Sequence, residues 1–204
     1  MLAGPNGGGK SSIVGEMIRE SGADYFNPDE FTRKLMDRNP SLPGDQANAR
    51  AWEIGKQQLE AAIATGHSFA FETTLGGRTI SRLLRRAAER GMKLKIWYVA
   101  LDSAERHVAR VRARAARGGH DIPPQRIRER YDESRANLAR LLPKVAALKV
   151  YDNSYEADVD HAERPRLKLV LDFADGQVRN REQLARTPQW AKPIVAAALK
   201  SEQR

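Results

Sequence analysis

The segment Gly4-Pro5-Asn6-Gly7-Gly8-Gly9-Lys10-Ser11 places the strongest constraint on what this chain can fold into. It fits the phosphate-loop (P-loop) pattern Gly-x-x-x-x-Gly-Lys-Ser at every fixed position, and the sequence predicts a helix over residues 10–20 directly after it, with Gly22 as its stop. In such a loop, glycines let backbone N–H groups approach phosphate, and the helix N-terminus adds a favourable dipole. A glycine-rich turn that matches by chance is the alternative, but the loop pattern and the helix agree. We therefore predict a binding site for the phosphates of a nucleotide.

The residue types in this loop predict which groups they bind. Lys10 is expected to reach the β- and γ-phosphates, and Ser11 to place its hydroxyl on Mg²⁺. The predicted cofactors are therefore ATP or GTP together with Mg²⁺. The residues expected to hold them are Gly4, Pro5, Asn6, Gly7, Gly8, Gly9, Lys10, Ser11 and Ser12.

A P-loop normally follows a buried strand, but only Met1-Leu2-Ala3 precede this one. Either the printed chain begins late, with Met1 an internal methionine of a longer product, or the strand is a stub. We favour the late start, because a truncated central strand would leave backbone groups of its neighbours unpaired. Each lost hydrogen bond costs about 1 kcal/mol net, and more where the groups stay buried.

Composition excludes several classes of protein. With 41% hydrophobic and 30% charged residues and no long apolar run, the chain lacks a segment that could cross a membrane. It has no cysteine, which excludes disulfides, thiolate metal sites and cysteine nucleophiles. Because the start of the sequence lacks the features of a signal peptide, we expect a cytoplasmic location and no membrane partner.

The net charge of +9 is concentrated in one segment. Residues 78–131 contain fifteen Lys and Arg against five Asp and Glu. A solvated helical face explains many of these side chains, whereas a pocket for several phosphates would need only a few of them. The segment has few aromatic side chains on which bases could stack, so we do not expect a nucleic-acid partner.

Hydrophobic periodicity predicts an α/β fold in which a parallel sheet is flanked by helices, as in P-loop nucleotide-binding proteins and kinases. Strands are expected at residues 24–26, 68–71, 95–101, 147–151 and 167–173, with a return strand from Val178. A helix capped by Asp45 should run to Thr65 with Trp52, Leu59 and Ile63 on its buried face. We divide the chain into a P-loop kinase core at residues 1–157, with an arginine-rich lid at about 103–131, and a strand and helix extension at 158–204 that packs on the core.

Four acidic residues follow predicted strands at the carboxyl edge of the sheet, where open parallel sheets bind ligands: Asp29, Glu72, Asp102 and Asp152. Asp29 could take the proton of an acceptor hydroxyl, or cap the short helix predicted from Phe31. Glu72 could support Mg²⁺ through water or hold a substrate hydroxyl, and Thr73 is open to the same two readings. A capping box formed with Glu105 explains Asp102, which we leave out of the site.

Arginines surround a predicted hinge. Four of them precede Gly118-Gly119, and three follow Pro123-Pro124, at residues 110–117 and 126–130. This order describes a lid that closes over phosphates and brings guanidinium groups to the transferred group. Their spacing prevents all of them from facing one site, so two or three are expected to act and the rest to be solvated.

Several short segments match a known family in order. They are Ala3 to Ser12, Asn27-Pro28-Asp29, Phe71-Glu72-Thr73-Thr74-Leu75, Gly118-Gly119-His120-Asp121-Ile122-Pro123, Arg130-Tyr131 and Tyr151-Asp152-Asn153-Ser154. Together, over roughly residues 3–154, they resemble the zeta-toxin family of P-loop kinases.

The resemblance implies ATP-dependent phosphorylation of a sugar hydroxyl on UDP-N-acetylglucosamine. It implies that Lys10 and Ser11 serve nucleotide and metal, that Asp29 is the base, and that Glu72 and Thr73 hold substrate. It also implies that lid arginines stabilise the transferred charge, and among these we favour Arg114, Arg117 and Arg130. A true toxin of this family would have an antitoxin protein as partner.

Two other functions stay open at this stage. The chain could be a polynucleotide kinase or another small-molecule kinase, which the basic segment would suit. It could instead be a nucleotide-binding regulatory module without transfer chemistry, in which case replacing Asp29 would leave nucleotide turnover unchanged.

Overall fold

The computed structural model of the chain describes residues 1–20, 24–119, 121–155 and 167–203. One sheet within these ranges contains the strands β1 (Leu2–Ala3), β2 (Glu72–Thr73), β3 (Leu94–Ala100), β4 (Val145–Asp152), β5 (Lys168–Ala174) and β6 (Gln177–Val178). The helices of the same ranges are α1 (Glu16–Glu20), α2 (Pro28–Arg38), α3 (Gly44–Thr65), α4 (Arg78–Glu89), α5 (Ala104–Ala115), α6 (Pro124–Leu141) and α7 (Lys192–Glu202).

The order of the strands in the sheet is β2-β1-β3-β4-β5-β6. The pairs β1–β2, β1–β3 and β3–β4 are parallel, whereas β5 runs antiparallel to β4 and β6 antiparallel to β5. The predicted α/β class is therefore confirmed, but the sheet is mixed. The last two strands are antiparallel because the turn between them is only two residues long, with Asp175 and Gly176 both at positive φ.

The predicted helix over residues 10–20 is present, with an irregular first part. Residues Lys10–Gly15 form wide π-helical turns before α1 begins at Glu16. The first helical residue, Lys10, therefore follows the glycine-rich loop without a break. The predicted stop at Gly22 lies outside the described residues.

Two predicted strands are shorter than expected. Around residues 24–26 a single parallel bridge joins Phe26 to Phe71, and the paired strand at the end of 68–71 is Glu72–Thr73. The rings of Phe69 and Phe71 stack at 5.4 Å, and that of Phe26 lies 6.3 Å from Phe69. Aromatic packing thus holds this edge of the sheet where backbone pairing is brief.

Helix α3 begins at Gly44 after Pro43, so Asp45 lies in its first turn and is not the cap. Leu59 and Ile63 are buried as predicted, but the prediction for Trp52 is wrong because 45% of this residue is exposed. The ammonium of Lys56 lies 5.6 Å from the centre of the Trp52 ring, so the indole is stabilised at the surface.

The main hydrophobic core lies between the sheet and helices α3, α4, α6 and α7. The last part of the chain contributes to it directly through Leu171, Phe173, Trp190 and Ile194. A separate small cluster joins α5 to the start of α6 through Val108, Val111, Ile122 and Ile127. No helix among the described residues is both long and apolar enough to span a lipid bilayer.

Candidate nucleotide and phosphoryl-transfer site

The P-loop leaves β1 and passes directly over strand β3. Gly4 has a φ of +135°, and a Cβ atom at this position would lie 2.0 Å from the carbonyl oxygen of Val99. Any other residue at position 4 would therefore clash with the backbone of β3. The requirement for glycine here is steric as well as conformational.

His107 joins the P-loop to strand β3 from within helix α5. Its ring is fully buried, Nε2 accepts a hydrogen bond from the Leu101 N–H at 3.0 Å, and Nδ1 lies 2.7 Å from the carbonyl oxygen of Asn6. Because a backbone N–H can only donate, Nε2 carries no proton, and Nδ1–H must donate to Asn6. This arrangement requires a neutral imidazole.

The surroundings of His107 favour the neutral form. Burial lowers the pKa of His107 to about 4, and the positive charges of Lys10, Arg110 and Arg135 act in the same direction, while the hydrogen bond to Asn6 opposes them. The His107 ring therefore stays neutral across the physiological pH range and holds the loop throughout that range.

Two further side chains hold the same loop from other elements. Asn153, which follows β4, donates its amide Nδ2 to the carbonyl oxygen of Gly8 at 2.9 Å. Arg130 on α6 donates from Nη1 to Oδ1 of Asn6 at 2.9 Å. Residues that lie far apart in the chain thus fix the loop from three sides.

Lys10 and Ser11 meet Glu72 at the end of β2. The Lys10 ammonium lies 3.5 Å from Glu72 Oε1 and donates to the carbonyl of Pro5 at 3.1 Å, and both charged side chains are at least 90% buried. Ser11 Oγ donates to Glu72 Oε2 at 2.8 Å, and Asn27 Nδ2 donates to the same oxygen at 3.4 Å. The structure therefore brings together the residues predicted for nucleotide, metal and substrate.

The oxygens of Ser11 and Glu72 fit a magnesium ion, which prefers hydroxyl, carboxylate and water ligands. No group of three or more His, Cys, Asp or Glu side chains suited to a metal occurs among the described residues. An ion at this site would therefore take its other ligands from phosphate oxygens and water, the arrangement expected of a nucleotide-bound Mg²⁺.

Asp29 lies in the first turn of α2, with its carboxylate half exposed. The residue that caps this helix is Asn27, whose Oδ1 accepts hydrogen bonds from the N–H groups of Asp29 and Glu30. The helix-cap interpretation of Asp29 is therefore wrong, and its carboxylate is available for other contacts. One of them is Arg114 of α5, whose Nη1 lies 3.7 Å from Asp29 Oδ2.

The three favoured arginines occupy different environments. Burial lowers the pKa of the Arg130 guanidinium, with Arg126 acting in the same direction and the charge of Asp29 opposing them. Asp29 therefore influences both Arg114 and Arg130. Arg117 is exposed in the turn that follows α5.

The glycines after α5 keep that turn close to Arg114. The N–H of Gly119 donates to the carbonyl of Arg114 at 3.1 Å, and a Cβ at position 119 would lie 2.8 Å from Arg114 Cγ. The pair Gly118-Gly119 therefore ends the helix tightly beneath the arginine that faces Asp29. A sequence pattern predicted as a hinge is also a close packing contact.

Thr73 belongs to a strained turn after β2. Its Oγ1 accepts a hydrogen bond from the N–H of Leu75, which is buried with a φ of +55°. Asn137 of α6 donates to the Leu75 carbonyl at 2.9 Å, and Gly76 packs against the stem of Arg130. Helix α6 thus stabilises a backbone conformation that a leucine rarely adopts.

The capping box predicted for Asp102 is wrong. Ser103 caps α5, with its Oγ accepting from the N–H of Arg106, because Asp102 is still held at the end of β3. The N–H of Asp102 donates to Ser154 Oγ at 2.7 Å, and its carboxylate lies 3.4 Å from Arg106. Asp102 thus lines the carboxyl edge of the sheet beside β4.

Sequence reasoning missed His107 and the roles of Asn27 and Asn153. Asn27 and Asn153 lie in segments that carry the family resemblance, so these motifs could have marked both residues as part of the site. The motifs do not show which residues the two side chains contact. His107 gives no such signal, since a histidine inside an amphipathic helix is most often a core residue.

Comparison with known proteins gives a family and a fold. A family model of an AAA domain (AAA_33) matches residues 1–141. A protein of Haemophilus influenzae named only as uncharacterized is 29% identical over 128 residues, which cover 63% of this chain and 88% of that protein.

Three solved structures have similar folds at low sequence identity. AvrRxo1-ORF1 with ORF2 and ATP has a TM-score of 0.61 and 18% identity over 92% of this chain, and the match spans 63% of that chain. A protein of Chloroflexus aurantiacus provisionally named a kinase has a TM-score of 0.53 and 14% identity, covering 78% of this chain and 91% of its own. The PezAT toxin-antitoxin system of Streptococcus pneumoniae has a TM-score of 0.55 and 13% identity, covering 99% and 84%.

Proposed function

Because the chain belongs to the AAA domain family, with its P-loop inside the matched residues, we propose that it is a kinase that transfers a phosphoryl group from ATP or GTP to a small-molecule hydroxyl. The family and the kinase-like fold support nucleotide-dependent phosphoryl transfer in general. The observation that carries the proposal is the meeting of Lys10, Ser11 and Glu72 at the end of β2. A regulatory module would need the nucleotide loop but not the carboxylates and arginines beside it.

The residues of the site divide into two groups by their chemistry. The loop amides and the Lys10 ammonium would bind the β- and γ-phosphates, and Ser11 with Glu72 would hold Mg²⁺, which neutralises charge on the phosphates. Asp29 would accept the proton of the attacking hydroxyl. Arg114 and Arg130 would stabilise the negative charge on the transferred group.

The acceptor we propose is a sugar nucleotide of the UDP-N-acetylglucosamine type. The support is the ordered set of motifs shared with the zeta-toxin family, together with a fold similar to that of PezAT. Glu72 and Thr73 lie beside the P-loop strand, where they could receive sugar hydroxyls. The reading of this chain as the toxin of a toxin-antitoxin pair, with a protein antitoxin as partner, has the same support.

The test is an assay with Mg²⁺ and labelled ATP or GTP against sugar nucleotides, free sugars and a 5′-hydroxyl oligonucleotide. We expect label in a sugar nucleotide, and a loss of about 10²- to 10⁴-fold in transfer for Asp29→Asn with nucleotide affinity retained. Asp37→Asn, on the exposed side of the same helix, is the control and should transfer normally. Label in the oligonucleotide alone, or equal transfer by Asp29→Asn and the parent chain, would contradict the proposal.

A further inference from the structure

We propose that Trp190 is a positioning residue of the nucleotide site. Through it, the C-terminal segment (residues 168–202) supports the side chains that hold the P-loop. The family match ends at residue 141, and the segment therefore lies outside the part of the chain that carries the P-loop motif. The proposal rests on the proposed function only where phosphoryl transfer is the readout. Nucleotide binding and loop stability test it independently.

The first contact joins the C-terminal segment to β4. Trp190 Nε1 donates to Oδ2 of Asp152 at 3.3 Å, and the two residues are 3% and 4% exposed. The other carboxylate oxygen, Oδ1, accepts the Ser154 N–H at 2.9 Å and also the Ser154 hydroxyl. A buried carboxylate is costly unless hydrogen bonds satisfy it, and here one of its oxygens depends on the indole N–H.

The second contact joins the turn after β4, formed by Asp152 to Ser154, to the P-loop. Asn153, between Asp152 and Ser154, donates Nδ2 to the Gly8 carbonyl at 2.9 Å. Its own carbonyl accepts from Arg110 Nη2 at 2.8 Å, and its N–H donates to the Ala100 carbonyl at 3.0 Å. The position of the Asn153 amide is therefore set by the turn that Asp152 organises.

A third contact leads from Trp190 toward the P-loop through helix α6. The Trp190 carbonyl accepts from Arg135 Nη1 at 3.3 Å, and the guanidinium of Arg135 lies 4.1 Å from the centre of the Tyr131 ring. Tyr131 follows Arg130, which donates to Asn6 in the loop. Trp190 thus contacts residues of two of the three elements that hold the loop, the turn after β4 and helix α6.

Removal of the indole N–H should affect the loop more than the fold. Trp190→Phe keeps an aromatic ring in the core but leaves Asp152 Oδ2 buried without a donor among the described residues, so the turn with Asn153 should rearrange. A matched control is Ile194→Val in α7, which removes one methyl group from a fully buried side chain of the same segment but touches none of these polar contacts.

The experiment compares three proteins: the parent chain, Trp190→Phe and Ile194→Val. Calorimetry with Mg·ATP should show a Kd raised about threefold to tenfold in Trp190→Phe and unchanged in Ile194→Val. Hydrogen exchange of the amides of Gly8 to Lys10, measured without nucleotide, should accelerate in Trp190→Phe alone. Kinetics should show the nucleotide KM raised more than kcat is lowered.

The outcomes separate this proposal from the proposed function. Equal loop exchange in Trp190→Phe and Ile194→Val, or equal ATP affinity, would overturn the role of Trp190. A parent chain that transfers phosphate to none of the acceptors would overturn the proposed function and leave the exchange comparison intact. Should Trp190→Phe fail to fold, Asp152→Asn replaces it, because an amide oxygen is a weaker acceptor for the indole N–H than a carboxylate. Unchanged hydrogen exchange of the loop amides in Asp152→Asn would equally contradict the proposal.

Discussion

The proposed nucleotide side and the proposed acceptor side of the site are built differently. On the nucleotide side, the side chains of Lys10 and Glu72 are 5% and 10% exposed, and the loop is held by His107 and Asn153, which are almost fully buried. On the acceptor side, the side chains of Asp29 and Arg114 are 51% and 43% exposed and lie 3.7 Å apart, beyond hydrogen-bond distance.

This difference indicates that the two halves of the reaction are prepared in different ways. Donors that are already fixed cost no reorganisation when charge develops on the phosphate. Half-exposed charges are screened by water and become effective only when a substrate or a closing lid excludes that water. Under the proposed function, the nucleotide half would therefore be ready before substrate arrives, and the substrate would complete the acceptor half.

Lys10 should give the largest effect, since it is the buried cation of the prepared half. Lys10→Met keeps the apolar stem and removes the charge, and we expect transfer to fall by about 10³-fold or more with weakened nucleotide binding. Calorimetry with Mg·ATP and the transfer assay measure the two effects. Lys34→Met, on the exposed face of α2, is the control, and a similar loss in both variants would contradict the comparison.

Arg130 should affect transfer strongly, because it contacts the loop at Asn6 and also experiences the charge of Asp29. We expect Arg130→Ala to lower kcat by up to about 10³-fold with a smaller change in nucleotide affinity. Exposed Arg126, one helical turn earlier, is the matched control. If Arg126→Ala loses as much activity, α6 acts through its overall charge and not through this contact.

His107 should make stability depend on pH. The pKa of His107 in the folded chain, about 4, lies below the ordinary histidine pKa of 6.5, so the unfolded chain binds the proton more tightly and acid favours unfolding. The free energy of unfolding should fall by up to about 3 kcal/mol as the pH is lowered from 6.5 to 4, from this group alone.

Urea denaturation at several pH values measures this contribution by difference. His107→Gln should have a flatter dependence between pH 4 and 6.5 than the parent chain. Parallel curves for the parent chain and His107→Gln would show that the ring does not hold the loop as a neutral group.

Gly119→Ala should give the smallest effect on transfer, and it should act on the acceptor half of the site. A methyl group at position 119 would lie 2.8 Å from Cγ and 2.9 Å from the backbone carbonyl oxygen of Arg114, so Gly119→Ala should shift Arg114 and change the distance between its guanidinium and Asp29. We expect a loss of about threefold to tenfold in kcat with unchanged nucleotide affinity. Gly77→Ala, where a Cβ would meet no atom within 4 Å, is the control, and a raised nucleotide Kd for Gly119→Ala would contradict the separation of the two halves.

Local patterns predicted which residues lie together at this site, while the roles of these residues stay predictions. The P-loop pattern and the rule of strand ends placed Lys10, Ser11 and Glu72 in one region, and the structure joins them by direct contacts. Periodicity also predicted that Leu59 and Ile63 of α3 are buried. These features depend on short stretches of chain, which is why the sequence predicts them.

Features set by distant contacts could not be predicted in this way. Asp102 and Ser103 are both suitable caps, and the choice between them follows from the hydrogen bond between Asp102 and Ser154. Trp52 fits the helical pattern of a core residue, yet nothing in its neighbourhood along the chain shows that this part of α3 faces solvent. The antiparallel direction of β5 likewise depends on where the chain returns after β4.

The hydrogen bond between Asn153 and Gly8 joins residues 145 positions apart. During synthesis, the ribosome makes the glycine-rich segment long before it makes the side chain that steadies it. At a typical rate of about 5 to 20 residues per second, this delay lasts on the order of ten seconds. The nascent chain must therefore pass through a period in which the P-loop sequence has been made but the contact that holds the loop in place has not yet formed.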